Sequence, residues 1–148
     1  MAEPAVLLGP GEGERRQARG SVMDFKALAA TTGGRFSLME RSLPPGGRMP
    51  PPHRHAACTE AFFVLAGDVT FVLDGADHVR GPGNFVLVPD GASHTFGNQA
   101  ASVARLLVLH APAMDGYFTE LERLWSGAEP PSAEDERALM ARYGMLPG

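Results

Sequence analysis

The chain has 148 residues and a formal net charge of -4, and its thirteen basic residues include a single lysine, Lys26. That balance argues against a general attraction to nucleic acid or anionic lipid. A single cysteine, Cys58, excludes an intramolecular disulfide, and no apolar run approaches membrane-spanning length. The length fits one domain able to bury roughly 70% of the surface that its unfolded chain would expose. The start, Met-Ala-Glu-Pro, is acidic and the apolar run 5–8 is too short for a signal peptide, so a cytoplasmic location is expected.

Eighteen glycines and thirteen prolines punctuate short apolar segments without a repeat, the texture of an all-β domain. Alternation places strands near 5–8, 21–29, 35–43, 60–66, 69–73, 77–80, 84–88, 94–98 and 103–110. Arg15, Arg16 and Arg19, preceded by Glu12 and Glu14, read as a solvated surface cluster. Asp74-Gly75, Pro82-Gly83 and Asp90-Gly91 supply turns between the strands. Beyond Pro112, Tyr117, Phe118, Leu121, Leu124 and Trp125 recur at helical spacing, which predicts a helix over 114–125. After Pro130-Pro131, Ser132 with Asp135 forms a helix start, Leu139, Met140 and Tyr143 an apolar stripe, and Gly144 an end. This two-helix tail is expected to cover the strands or a partner subunit.

The chemistry concentrates between Gly47 and Asn98. His53 and His55 flank Arg54, so in an extended strand both imidazoles project to one face and Arg54 to the other. Glu60 follows after enough chain to turn a corner. His94 opens a later extended run after Pro89-Asp90-Gly91 and is the natural fourth ligand for one metal ion. Three imidazoles and a carboxylate suit a divalent transition metal, whether manganese, iron, nickel, copper or zinc, without choosing among them. Structural zinc favours cysteine-rich sets, so this set points to a catalytic ion.

These residues resemble the two motifs of the cupin superfamily. Gly47, His53, His55, Glu60 and Gly67 match the first, Gly-x5-His-x-His-x4-Glu-x6-Gly. Gly83, Pro89, Gly91, His94 and Asn98 match the second, Gly-x5-Pro-x-Gly-x2-His-x3-Asn. The resemblance implies a double-stranded β-helix, or jelly roll, with His53, His55, Glu60 and His94 holding a divalent metal inside it. It further implies a single-domain bacterial cupin of the quercetin-dioxygenase-like type, with residues 1–32 as an N-terminal segment that adds to the barrel or to a partner, 33–112 as the barrel and 113–148 as the tail. Cupins commonly dimerise, so a homodimer is expected.

Phase outlines the pocket. Phe62 and Val64 share the face of Glu60, and Phe96 and Asn98 that of His94, which predicts an apolar substrate cavity; Val64 also suits ordinary core, and Asn98 the bracing of a turn. Cys58 reads as a small turn residue, His78 and His110 as structural or exposed, and Glu40 as surface. The first functional expectation is a metal-dependent dioxygenase-like enzyme acting on a small aromatic or enol-type molecule, with Glu60 as ligand and proton acceptor. A metal-dependent isomerase or polyketide cyclase is the alternative, and a non-enzymatic small-molecule sensor is a third.

Overall fold

The computed structural model describes residues 2–148. Its elements are β1 (Glu14–Ala18), β2 (Ser21–Ala27), the short helix α1 (Ala29–Thr32), β3 (Ser37–Leu43), β4 (His53–His55), β5 (Thr59–Ala66), β6 (Val69–Leu73) and β7 (Ala76–Arg80). There follow β8 (Phe85–Val88), β9 (His94–Gly97), β10 (Ala104–Ala111), α2 (Asp115–Trp125), α3 (Ala133–Arg142) and β11 (Met145–Pro147).

Alternation builds the interior. Met39, Arg41 and Leu43 from β3, Glu60, Phe62 and Val64 from β5, and Leu106, Val108 and His110 from β10 all turn inward, while their neighbours face out. The strands form two antiparallel sheets, β1-β2-β3-β10-β5-β8 and β11-β4-β9-β6-β7, the jelly roll expected from the motifs. Between them Phe62 lies 5.2 Å from Phe71 and 4.9 Å from Phe96 by ring centroids. Such pairs each contribute about 0.5–1.5 kcal/mol beyond their buried area. Gly67 shows why its motif position excludes a side chain: its φ is +70°, and a Cβ there would meet the Val103 carbonyl oxygen at 2.6 Å.

Two expectations are corrected. Residues 5–8 carry no strand, because the edge of β2 is taken by β1, whose sequence ERRQA lacks apolar alternation. β1 is held instead by its ladder and by the Arg15 Nε to Asp24 ion pair at 2.8 Å. The arginine cluster is not all solvated: Arg19 is 5% exposed and meets Glu136 Oε1 at 2.8 Å. The turn causes this, since Arg19 and Gly20 both adopt positive φ in the two-residue β1–β2 hairpin and so aim the Arg19 side chain inward.

The tail begins as expected, with Ser132 Oγ accepting the Asp135 amide at the start of α3. Tyr117, Phe118 and Leu121 of α2 and Leu139 and Met140 of α3 are buried against the barrel. The final strand, absent from the alternation reading, pairs with β4 so that Met145 opposes His55 and Pro147 opposes His53. The tail thereby holds the strand that carries two candidate ligands.

Candidate metal centre

Two sheets contribute to the site. β4 and β9 of the five-stranded sheet present His53, His55 and His94, with His53 directly opposite His94. β5 of the six-stranded sheet presents Glu60 across the interior. The structure brings all four together: one donor atom from each lies within 4.8 Å of the others, and all four residues are buried. Metal bonds of about 2.0–2.2 Å allow donor separations up to about 4.4 Å, so small side-chain adjustments would suffice. Arg54 is exposed, as its place between the histidines predicts.

The hydrogen bonds leave the right nitrogens for an ion. His53 Nδ1 donates to the Pro51 carbonyl at 2.8 Å and His94 Nδ1 to the Ala92 carbonyl at 3.0 Å, which directs each Nε2 toward the cluster. The test of fit is His55. Both its ring nitrogens are buried with no hydrogen-bond partner among the described residues, although Nε2 lies 3.3 Å from Glu60 Oε1 in poor alignment. An orphaned imidazole costs desolvation energy unless something occupies its lone pair, so the cluster fits a metal site.

Charge is arranged to match. Burial alone would push Glu60 up, but His110, through charge and a hydrogen bond, together with the close approach of His55 and a hydrogen bond from His94, holds it well below the usual carboxylate range. Burial likewise disfavours charge on His94, yet the bond and charge of Glu60, 2.7 Å away, outweigh it and raise its pKa. Burial, then the nearby His94, push His53 down to about 4. In the metal-free protein His94 therefore holds to higher pH than a free imidazole a proton that an ion must displace. Metal affinity is expected to fall about tenfold for each pH unit below the His94 pKa and to level off above it, with His53 adding no dependence near neutrality. Metal titrations in buffers of different ionisation enthalpy check this through the proton released.

The model of the cupin domain matches residues 39–110. The chain carries a cupin domain. Over 137 residues, 90% of its length, this cupin is 27% identical to the quercetin 2,3-dioxygenase of Bacillus subtilis (strain 168), of which it spans 40%. It resembles in fold the polyketide cyclase of Streptomyces resistomycificus (TM-score 0.64, 23% identity, covering 73% of this chain and 80% of that one). A sugar phosphate isomerase of the cupin superfamily from Silicibacter pomeroyi DSS-3 gives a TM-score of 0.61 at 25% identity, covering 72% and 75% of the two chains. A predicted oxalate decarboxylase of Thermotoga maritima gives 0.63 at 21%, covering 73% and 99%. Such diversity means that the fold does not select the reaction.

The cupin interior adds residues that local spacing does not reveal. His110 is buried, opposes Glu60 across the β10–β5 ladder, and donates from Nε2 to Glu60 Oε2 at 2.7 Å. It leaves Oε1 facing the histidines. His110→Leu is expected to weaken metal binding by roughly 10–100-fold while the protein stays folded, measured by competition with a chromophoric chelator. His78 lies half-buried on β7, outside the cluster. Glu40 faces outward and pairs with Arg105 at 2.5 Å. Burial, and secondarily the charge of Glu60, push the Cys58 thiol up to about 11, and Cys58 stands outside the cluster.

A narrow cavity of about 20 Å³ adjoins the cluster, walled by Phe96, Arg41 and, from the tail, Met114, Tyr117, Phe118 and Met140. Of the four pocket candidates, Phe96 reaches this cavity. Phe62 and Val64 are enclosed in the core at 1% and 0% exposure. Asn98 lines an adjoining crevice, where Nδ2 donates to the carbonyls of Leu43 and Ser102 and Oδ1 accepts the Ala100 amide, bracing the turn after β9. On the other side of His53 an apolar groove of about 340 Å³ runs between Pro51, Pro52, α3 and β11.

Proposed function

We propose that this cupin is a metal-dependent dioxygenase-like enzyme acting on a small aromatic or enol-type molecule. The observation that carries the reading is the buried His53, His55, Glu60 and His94 cluster with an orphaned His55, set beside a cavity walled largely by apolar and aromatic side chains. The likeness to quercetin 2,3-dioxygenase supports the reaction class. The four side chains would hold the ion, which when bound supplies an open coordination position with Lewis-acid or redox chemistry. Glu60, kept ionised by its three histidine neighbours, is the base at hand for an enol proton. Phe96 and Phe118 exclude water and orient the carbon skeleton.

Oxygen-electrode traces with flavonol and diketone panels on protein reconstituted with iron, manganese, nickel or copper test this directly. Oxygen uptake that vanishes on metal removal is the expected result, and no uptake in any combination sinks it. Anaerobic turnover would instead favour a metal-dependent isomerase, a reading supported by the 25% identity to the sugar phosphate isomerase. Among the described residues no helix is long and apolar enough to cross a membrane. A homodimer is part of the proposal: Phe63, Phe85 and Leu87 stand 41%, 62% and 57% exposed side by side on the outer face of β5 and β8. Sedimentation of wild type against Phe85→Glu checks it, with a dimer expected only for the wild type.

A further inference from the structure

The cavity beside the metal cluster holds a cation with no ion-pair partner. Arg41 projects inward from β3 and is 3% exposed. Its Nε donates to Ser21 Oγ at 2.9 Å, and its guanidinium carbon lies 5.2 Å from the centre of the Phe96 ring. None of the ion pairs among the described residues includes it. Its buried neighbour Arg19 differs, because Glu136 neutralises that charge. Burial first, and the charge of Arg19 second, push Arg41 down to about 9 against the weaker opposing pull of Tyr117 and Glu60, which still leaves it protonated at neutral pH.

Arg19 and Glu136 cancel, and Glu60 offsets one charge of a divalent ion. With a divalent ion bound, one positive charge on the ion and one on the buried Arg41 would remain. A lone buried cation destabilises a fold, so its retention in a cavity calls for an anion that arrives with a ligand. A guanidinium offers a planar fork matched to a carboxylate, and the Phe96 face beside it suits the attached carbon skeleton.

We infer that Arg41 recognises the carboxylate of a small organic acid, so that the substrate is a carboxylic acid whose enol or carbonyl end faces the metal cluster. This rests on the reading that the cavity receives the substrate, and it narrows the substrate class to anions.

The test compares pyruvate with diacetyl, which shares its dicarbonyl skeleton but replaces the carboxylate by an acetyl group. Calorimetric titrations are run on zinc-loaded and metal-free protein, for wild type, Arg41→Met and Arg41→Lys. Wild type is expected to bind pyruvate roughly tenfold or more tighter than diacetyl, as a charge-assisted bidentate pair implies. Arg41→Met should erase that preference, keep full zinc stoichiometry and melt at or above the wild-type temperature, while Arg41→Lys keeps part of the preference. Equal binding of the two probes by wild type, undiminished pyruvate binding by Arg41→Met, or melting of Arg41→Met well below wild type would each overturn the inference. Failure of zinc to bind, with the Arg41-dependent preference intact in metal-free protein, would instead remove the metal centre and leave the anion site standing.

Discussion

His55→Leu is expected to abolish tight metal binding while leaving the metal-free protein as stable as wild type or more so. Removal of one ligand from four should cost more than the roughly 10–100-fold lost with an outer hydrogen-bonding partner. The stability half of the prediction is the sharper one. His55 has two buried ring nitrogens without a partner, so a leucine of comparable bulk removes an unpaired polar group worth about 1–3 kcal/mol and breaks no hydrogen bond. In wild type, by contrast, a metal at a hundred times its dissociation constant should add about 2.7 kcal/mol of stability, and this gain should vanish in the variant. Thermal melts with and without added metal, beside elemental analysis, measure both halves. If the metal-free variant melts far below wild type, His55 is a structural residue and the case for the site weakens at its best-supported point.

Glu136→Ala is expected to be the most destabilising simple substitution in the tail. Glu136 and Arg19 have side-chain exposures of 1% and 2%, and Trp125 Nε1 donates to the same Glu136 oxygen at 3.0 Å. Truncating the carboxylate strands the Arg19 guanidinium and the indole N–H in the interior. Breaking a buried pair in this way costs about 3–5 kcal/mol, which for a chain of this size lowers the melting temperature by on the order of 10 °C. Arg19→Met combined with Glu136→Met should recover most of the loss, because a buried ion pair replaced by apolar groups of similar bulk is close to neutral. A double variant as unstable as the single one would show that the pair itself, and not the stranded charge, sets the effect. The bond joins the β1–β2 turn to α3, so the same melts report whether the tail comes away from the barrel.

Much of the metal cluster was legible along the chain because its determinants are local. His53 and His55 share a face through the two-residue period of a strand, and Gly67 and Gly91 occupy positive-φ positions that other side chains rarely adopt. Strand alternation likewise located most of both sheets and assigned Arg54 outward. Local signals failed where pairing replaced pattern: β1 is a polar strand stabilised by its neighbour, and β11 is three residues that become a strand only against β4.

The sequence by itself pointed to the jelly roll and to the quartet of His53, His55, Glu60 and His94 through its resemblance to the two cupin motifs, and to the shared face of His53 and His55 and the two tail helices through spacing along a strand or helix. Only the tertiary structure decided what surrounds that quartet. His110 meets Glu60 through the register of β10 against β5, Arg41 shares the cavity because β3 lies on the other side of β10, and Arg19 is buried because its turn aims it at α3. Such contacts join residues far apart in the chain, and their energy comes from burial and charge pairing that no short window contains.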